Sequence, residues 1–375
     1  MKAPFALNFA RMDQERLSLM ALHFVPGIGD FLVKQLVSYC GSAQQVFKLS
    51  KAKLLKVPGI GEVTASAIPE GRTFHQAEKE LRKAEREDAR VLFFIDKAYP
   101  ARMRAIDDAP ILLYVKGNIN LNVAKVVAIV GTRQATTYGK GMVESVVEGL
   151  VPHQVLIVSG LAYGIDIHAH KQALKCGLAT IGVLGSGIDV IYPAVHKDVA
   201  KKMTNQGGLV SENHFGTKPD AYNFPARNRI IAGLCDAIIV IEAALKGGAL
   251  ITAEIANSYN KDVFAVPGNI GETYSEGCNK LIKINKAHLF TSVADLEYIM
   301  NWKATAGSET QLQFAMFDKD ELKVLDALRL KSTPTWIDEL SMKTNMELGY
   351  LSSVLLTLEF KNAVVSLPGK AYRVT

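Results

Sequence analysis

The sequence predicts an α/β protein with a doubly wound, mostly parallel sheet, a helical segment before the sheet and a winged helix after it. Short apolar runs recur through the central region, and helical stretches of crossover length separate most of the later runs. Two of the runs, 126–130 and 237–241, are almost all Val, Ile and Ala, which is typical of strands covered on both faces. The expected segments are a helical domain (1–75), the sheet domain (76–302), a linker (303–316) and a winged-helix-like domain (317–375).

Length and composition indicate a chain of several packed domains in a reducing compartment. A chain of 375 residues is too long for one ordinary core, and its net charge of +6 favours a polyanionic partner over an acidic one. The four cysteines have no CxxC spacing, and charged residues interrupt the apolar stretch at 1–22. We therefore expect a soluble cytoplasmic protein with no membrane span, no bound metal and no cofactor.

The helical segment contains an internal repeat. The sequence Val-Pro-Gly-Ile-Gly at 25–29 recurs 32 residues later at 57–61, each time before an apolar helical pattern. This arrangement resembles the helix-hairpin-helix motif, whose amides can hold a nucleic-acid phosphate. A helical bundle that uses the Pro-Gly turns for packing or for protein contacts fits the sequence equally well. The alternating charges at 76–90 predict a solvated helix that leads out of this segment.

The central strands are predicted from apolar runs bounded by turn residues. The predicted runs are 91–95, 111–115, 126–130, 155–158, 180–184, 237–241 and 263–266. In a doubly wound sheet the carboxyl ends of the parallel strands lie along one edge, where ligands bind.

The C-terminal pattern predicts a winged helix. Helical patterns at 321–330, 336–341 and 347–358 precede two short strands, 363–366 and 371–374, around a Pro-Gly turn. Because no Lys or Arg lies between 347 and 360, contact with a protein is at least as plausible for this domain as reading of a DNA groove.

Four strand-end loops of the sheet domain are rich in small residues that present backbone amides. We expect the loops to converge on one crevice that binds a phosphate-bearing ligand. The second, Ser-Gly-Leu-Ala-Tyr-Gly-Ile-Asp at 159–166, reads as a phosphate turn between a strand and a helix. The candidate residues of the four loops are Gly131, Thr132, Arg133, Ser159, Gly160, Gly164, Gly185, Ser186, Gly187, Gly247 and Gly248.

A second group of candidates lies in the block 218–229, where aromatic and basic residues alternate. Stacking on bases together with phosphate contact requires this mixture. The block supplies Lys218, Phe224, Arg227, Asn228 and Arg229. In an alternative interpretation, Phe224 fills the core and the arginines make helix contacts.

Several common active sites are disfavoured by the sequence. The glycines near 182–187 do not match G-x-G-x-x-G, and no G-x-x-x-x-G-K-[ST] occurs. His168 and His170 are two residues apart on a predicted helix and cannot chelate one ion together. We expect Ser159 and Ser186 in exposed turns without a histidine partner, and Asp166 as a helix cap.

These motifs together resemble the DNA-processing protein A (DprA/Smf) family. The resemblance is carried by Gly-Thr-Arg at 131–133, the 159–166 turn, Gly-Ser-Gly-Ile-Asp-Val-Ile-Tyr-Pro at 185–193, Ser-Glu at 211–212, Phe-Pro-Ala-Arg-Asn-Arg-Ile-Ile at 224–231 and Gly-Gly-Ala-Leu-Ile-Thr-Ala at 247–253. It implies an extended Rossmann-like domain that binds single-stranded DNA, is not an established enzyme, self-associates as a dimer or higher oligomer, and loads the RecA recombinase in natural transformation (competence).

The resemblance also assigns particular residues to DNA binding. Those that match the family's DNA-binding motifs are Gly131, Thr132, Arg133, Ser159, Gly160, Gly164, Phe224, Arg227, Asn228 and Arg229. Two positions depart from the pattern: Thr132 stands where the family often has Ser, and Gly247 stands where Ser is common.

An enzyme acting on a small nucleotide is the alternative hypothesis. Phosphoribohydrolases of the lysine-decarboxylase-like group have a similar domain and use a P-G-G-x-G-T-x-x-E loop. The stretch 247–254 shares the paired Gly, the Thr and the Glu, but Leu250 replaces the third Gly. The sequence therefore ranks single-stranded DNA binding above nucleotide hydrolysis.

Overall fold

The computed structural model describes residues 13–302, 317–329, 335–361, 363–367 and 369–374. The chain divides into two compact units, Met1–Lys303 and Ala304–Thr375, which are described separately. The predicted linker, 303–316, lies outside the described residues, and the division of the first unit near residue 75 stays a prediction.

The described part of the first unit, from residue 13, begins with six helices. They are α1 (Gln14–His23), α2 (Asp30–Cys40), α3 (Ala43–Lys48), α4 (Lys51–Leu54), α5 (Glu62–Glu70) and α6 (Phe74–Arg86). Asp13 caps α1 by accepting a hydrogen bond from the Glu15 amide at 3.0 Å. The charged helix ends at Arg86, earlier than predicted, because the first strand already begins at Ala89.

The two Pro-Gly repeats form a pair of hairpins that contact each other. Gly27 and Gly59 both have φ of +81°, a conformation that favours glycine. A Cβ on Gly59 would lie 2.9 Å from Leu32, and one on Gly27 would lie 3.6 Å from Thr64. Leu32 and Thr64 are themselves 32 residues apart, so the contact is reciprocal and the predicted helix-hairpin-helix tandem is confirmed.

The sheet of the first unit has nine strands. They are β1 (Ala89–Phe93), β2 (Leu112–Lys116), β3 (Val126–Val130), β4 (Leu156–Ser159), β5 (Thr180–Val183), β6 (Gly208–Ser211), β7 (Ala237–Val240), β8 (Asp262–Ala265) and β9 (His288–Leu289). Their order is β1-β2-β6-β5-β4-β3-β7-β8-β9, and only the β1–β2 and β2–β6 pairs are antiparallel. The doubly wound, mostly parallel sheet is confirmed. Each predicted run overlaps a strand, whereas β6 and β9 were not predicted.

Eight helices connect and cover these strands. They are α7 (Ala101–Arg104), α8 (Thr137–Leu150), α9 (Ile165–Lys175), α10 (Lys197–Gln206), α11 (Asn223–Leu234), α12 (Gly248–Ser258), α13 (Glu276–Lys283) and α14 (Val293–Met300). Alternate residues of β3 enter different cores: Ala128 packs with residues of α11 and α12, and Ile129 packs with residues of α8 and α9. Burial on both faces explains why this strand is continuously apolar.

The topology fixes where a ligand site can form. β3 pairs with β4 on one side and with β7 on the other, both in parallel, with Val127 opposite Ile157 and Ala237. The chain winds outward from β3 in one direction through β4, β5 and β6, and in the other through β7, β8 and β9. The carboxyl ends of β3 and β7 therefore flank the switch point of the sheet, where crevices form in this architecture.

The second unit is a winged helix, as the sequence predicts. It contains α15 (Lys319–Arg329), β10 (Thr335–Trp336), α16 (Ile337–Thr344), α17 (Leu348–Phe360), β11 (Val364–Leu367) and β12 (Ala371–Val374). The three strands form an antiparallel sheet in the order β10-β12-β11. Its helices pack through Leu325, Leu340 and Leu355, which are buried.

Candidate nucleic-acid interface

A crevice of about 710 Å³ opens at the carboxyl ends of β3 and β7. The predicted convergence of separate loops on this edge is observed for the β3 loop, the block at the start of α11 and the start of α12. The predicted candidates that line the crevice are Gly131, Thr132, Arg133, Phe224, Arg227, Asn228, Gly247 and Gly248. The 159–166 loop contributes Ala162 and Asp166 instead of its predicted residues.

An aromatic and cationic wall forms one side of the crevice. The exposed Arg133 guanidinium carbon lies 5.6 Å from the centroid of the Phe224 ring, within cation–π range. The ring centroids of Tyr192 and Phe224 lie 5.7 Å apart, and Tyr192 is 48 % exposed. The sequence search missed Tyr192 as a site residue, although an aromatic in the loop after β5 was a usable signal.

The start of α12 forms the opposite wall. Gly247 caps this helix without a side-chain hydrogen bond, and its own amide donates to the Ala244 carbonyl at 2.9 Å. The Leu250 amide donates to the Gly247 carbonyl at 3.1 Å, which leaves the amides of Gly248 and Ala249 without a backbone partner among the described residues. A Cβ on Gly248 would meet no atom within 4 Å, which shows that space is open in front of the helix start. Unpaired amides at the positive end of a helix dipole attract anions such as phosphate.

Arg227 lies beneath the crevice and is 5 % exposed. Its Nη1 donates hydrogen bonds to the carbonyl oxygens of Gly160, at 2.6 Å, and Val183. Burial lowers the pKa of Arg227 to about 10, and the neighbouring Asp166 opposes this effect. Its Nε has no hydrogen-bond partner among the described residues. Most of this guanidinium therefore binds the ends of β4 and β5, and only a small part of it faces the crevice.

Ser159 and Ser186 do not lie in exposed turns, and that prediction was wrong. Ser159 is fully buried and its Oγ donates to the Ile129 carbonyl at 2.6 Å. Ser186 is 2 % exposed and its Oγ donates to the Val190 carbonyl at 2.6 Å. The Ser159 hydroxyl satisfies a carbonyl of β3, and the Ser186 hydroxyl satisfies a carbonyl of the loop after β5.

The glycines of the 159–166 loop allow close packing within the protein. A Cβ on Gly160 would lie 2.5 Å from Arg227 Nη1. Gly164 has φ of +74°, and a Cβ there would lie 2.2 Å from the Thr132 carbonyl oxygen. The loop is thus pressed against the β3 loop and Arg227, and we assign its two glycines to this packing.

Asp166 is not the N-cap of α9, contrary to expectation. The N-cap is Gly164, which makes no side-chain hydrogen bond. The Asp166 carboxylate instead accepts from the amides of Gly160, at 3.2 Å, and Ala162, at 3.4 Å. Burial raises the pKa of this carboxyl, while the charge of Arg227 opposes the change. Asp166 therefore holds the loop in shape from below.

Glu242 fixes the β3 loop and was not found from the sequence. It is 3 % exposed, its backbone carbonyl accepts from the Thr132 amide at 2.7 Å, and its carboxylate accepts from the Thr136 amide at 3.0 Å. A Cβ on Gly131 would lie 2.5 Å from Ile165. The backbone of this loop is consequently fixed from both sides while the Arg133 side chain projects outward.

Arg229 does not line the crevice, contrary to the prediction that it lies along the same edge. Its Nη1 donates to the Asp108 carbonyl at 2.6 Å and its Nη2 forms an ion pair with Glu212. Asp30, the first residue of α2, lies 3.8 Å from the same nitrogen. Residues two apart on a helix point in nearly opposite directions, so Arg227 and Arg229 cannot both face the crevice.

The remaining candidates lie around the crevice without lining it. Gly185 lies behind Phe224, where a Cβ would be 3.0 Å from the ring. Gly187 packs against the His214 carbonyl, 2.6 Å from a Cβ position. Lys218 is exposed and immediately precedes Pro219, which lines the crevice.

Among the described residues, no group of three or more His, Cys, Asp or Glu side chains is placed to hold a metal ion. None of the helices in the described ranges is long and apolar enough to span a membrane.

Family models match most of the chain. Residues 90–301 match the model described as DNA recombination-mediator protein A. Residues 304–370 match the DprA winged helix domain, and residues 19–70 match a SAM-like helix-hairpin-helix tandem.

Individual proteins agree with these models. The chain is 46 % identical over 202 residues to the DNA processing protein DprA of Streptococcus pneumoniae, covering 54 % of this chain and 71 % of that protein. It is 29 % identical to the protein Smf of Synechocystis, covering 96 % and 99 % of the two chains.

Two solved structures have folds similar to that of this chain. The crystal structure of S. pneumoniae DprA matches with a TM-score of 0.67 and 34 % identity, covering 77 % of this chain and 98 % of that one. DNA processing protein A of Helicobacter pylori, studied for its single-stranded DNA binding mode, matches with a TM-score of 0.52 and 29 % identity over 57 % of this chain and 97 % of that one. The chain belongs to the DNA recombination-mediator protein A (DprA/Smf) family of DNA processing proteins.

Proposed function

We propose that this protein binds single-stranded DNA in the crevice at the carboxyl ends of β3 and β7. The observation that carries the proposal is the placement of Arg133 over Phe224, 5.6 Å from the ring centroid, at a crevice whose other wall is the start of α12. A cation beside an accessible aromatic ring suits a chain of phosphates with unstacked bases, since stacking accepts every base.

The two walls would divide the work of binding. Arg133 offers a planar guanidinium for a phosphate, and the Gly248 amide at the start of α12 offers a second anion contact. Phe224 and Tyr192 offer ring faces to the bases. Duplex DNA hides its base faces, so the crevice should prefer single strands.

The test is binding of fluorescent oligonucleotides to the full chain over a series of salt concentrations. We expect single strands of different sequence to bind with similar affinity, binding to weaken as salt rises, and a duplex of equal length to bind less tightly. Equal affinity for single and double strands would contradict the stacking role of Phe224. An affinity that does not change with salt would contradict the phosphate role of Arg133.

Within recombination, we infer that the bound strand is protected and passed to the RecA recombinase. Membership of the DNA recombination-mediator protein A family supports this role, as does the single-stranded DNA binding mode described for DNA processing protein A of Helicobacter pylori. The assay is RecA filament growth on a strand coated with single-strand binding protein. We expect this protein to shorten the lag, and an unchanged lag would contradict the mediator role.

We also propose that the protein self-associates as a dimer or higher oligomer and acts by binding, without turnover. Sedimentation of the full chain over a range of concentrations tests association, and a monomer throughout would contradict it. Incubation with nucleoside monophosphates tests the phosphoribohydrolase alternative. Because Leu250 replaces a loop glycine of those enzymes, we expect no released base, and sustained release would favour the enzyme.

A further inference from the structure

A second groove lies outside the crevice, between α9 and α10. It has a volume of about 780 Å³ and is lined by three lysines, two amides and two aliphatic residues. The lining residues are Lys171, Leu174, Lys175, Val199, Lys202, Asn205 and Gln206. The three lysines are exposed, and in the described part of the chain none of them forms an ion pair with a carboxylate.

The charge of these two helices is strongly one-sided. Their exposed charged residues are Lys171, Lys175, Lys197, Asp198, Lys201 and Lys202, so a single carboxylate faces five ammonium groups. The remaining acid of the pair of helices, Asp166, is buried beneath the crevice. Burial and then the charges of Lys140 and Lys171 lower the pKa of His168, while the charge of Glu144 on α8 opposes the shift. A polyanion is the complementary partner.

Helix α9 contributes residues to both the crevice and the groove. Asp166, at the start of α9, lines the crevice, and Lys171 and Lys175 lie roughly 8 and 14 Å further along the helix axis. α9 begins at the edge of the sheet where the crevice opens, and the chain reaches α10 from β5 through a loop whose Tyr192 lines the crevice.

Two exposed tyrosines lie near the starts of α9 and α10, between the crevice and the groove lysines. Tyr163 precedes α9 and is 49 % exposed, and its ring lies 5.1 Å from that of His196, which precedes α10. Tyr192 is equally exposed and lines the crevice. A strand that leaves the crevice would thus meet ring faces first and the lysines next.

We propose that the α9–α10 groove is a second contact for the single strand held in the crevice, and that it binds the sugar-phosphate backbone of nucleotides that leave the crevice past Tyr163. The inference rests on the proposed function of the crevice. Lysines one helical turn apart, about 6 Å between their Cβ atoms, can neutralise neighbouring phosphates without reading sequence. The protein then occupies a longer stretch of DNA than the crevice alone can hold.

The test compares oligonucleotides of two lengths. Lys171, Lys175 and Lys202 are changed together to Gln in the full chain, and Lys79, Lys97 and Lys283, which are exposed elsewhere in the first unit, are changed to Gln as the charge-matched control. Strands of about 6 and about 20 nucleotides fall within and beyond the site of one typical binding domain.

The groove variant should bind the short strand like the wild type and the long strand about tenfold more weakly. Its salt slope for the long strand should fall by about 2, since each phosphate contact on a single strand contributes about 0.7. Unchanged affinity of the groove variant for the long strand would contradict DNA binding by the groove. An equal loss of affinity in the control variant would contradict it as well.

A photo-crosslinking measurement on the unaltered protein checks the path independently of any variant. A long strand with a photoreactive base beyond the crevice-bound segment should label the peptide from Tyr163 to Lys175, and labelling confined to other surfaces would overturn the path. If the wild type binds no single strand, both the proposed function of the crevice and the proposed function of the groove are wrong. If the wild type binds while the groove variant is unaffected, the groove alone is refuted.

Discussion

Arg133 lies over the face of Phe224, with its guanidinium carbon 5.6 Å from the ring centroid. The two residues are far apart in sequence, one just past the end of β3 and the other at the start of α11. Their contact places a positive charge and an aromatic surface at one point of the crevice. Substitutions at Arg133 and at Phe224 separate the contributions of the charge and the ring.

Replacing Arg133 by Ala should weaken single-strand binding roughly tenfold and reduce the salt slope by about 0.7, because one phosphate contact is lost. Lys at this position should restore part of the affinity, since it keeps the charge but not the planar guanidinium. Fluorescence anisotropy measures both effects. Arg86→Ala, at an exposed position on α6, is the control. Unchanged binding after Arg133→Ala would remove the β3 loop from the interface.

Replacing Phe224 by Leu should cost about 1–3 kcal/mol of binding free energy while the salt slope stays the same, because stacking is lost and no charge changes. Phe224→Tyr should retain most of the affinity. Tyr222→Ala is the matched control, since Tyr222 is an exposed aromatic of the same block that does not line the crevice. An equal loss in Tyr222→Ala and Phe224→Leu would argue against a specific stacking position.

Replacing Arg227 by Lys should lower the free energy of unfolding of the first unit by about 3 kcal/mol. A lysine cannot reproduce the bonds to both Gly160 and Val183, and the buried Asp166 loses its facing guanidinium. Urea unfolding followed by circular dichroism measures the change. The exposed Arg133→Lys should alter stability by less than about 0.5 kcal/mol. Native stability in Arg227→Lys would mean that Arg227 is not needed to hold the loop.

The free energy of unfolding should depend on pH because of the Glu212 carboxyl. Burial raises its pKa from 4.5 to about 7, although the charge of Arg229 opposes the shift. The folded state then binds the Glu212 proton more tightly than the unfolded state does. Protonation of Glu212 therefore stabilises the folded state fully below pH 4.5, and this stabilisation is lost as pH rises through 7.

The measurement is urea unfolding of the wild type and Glu212→Gln from pH 4.5 to 8. The wild-type free energy of unfolding, relative to that of the variant, should decrease by up to about 3 kcal/mol over this range. Taking the difference removes the titration of groups common to both proteins. Parallel pH curves would show that Glu212 titrates normally.

Much of the architecture follows from the sequence because it depends on local pattern. Apolar runs such as 126–130 must be covered on both faces, and crossover helices between parallel strands then bring the loops to one edge. Arg133 and Gly248 line one crevice, although more than a hundred residues separate them, because both follow parallel strands that end at this edge. The strands β6 and β9 escaped prediction because β6 begins with glycine and β9 has only two residues.

The direction of individual side chains was decided only by the tertiary structure. The sequence alone determined that residues 218–229 combine aromatic rings with positive charge, but the seating of α11 decided that Arg227 is buried against Gly160 and that Arg229 pairs with Glu212. Likewise, Ser159 turns inward because the Ile129 carbonyl needs a donor. Composition and periodicity locate a loop on the sheet edge, whereas the partners that a polar atom finds depend on long-range packing that no local pattern encodes.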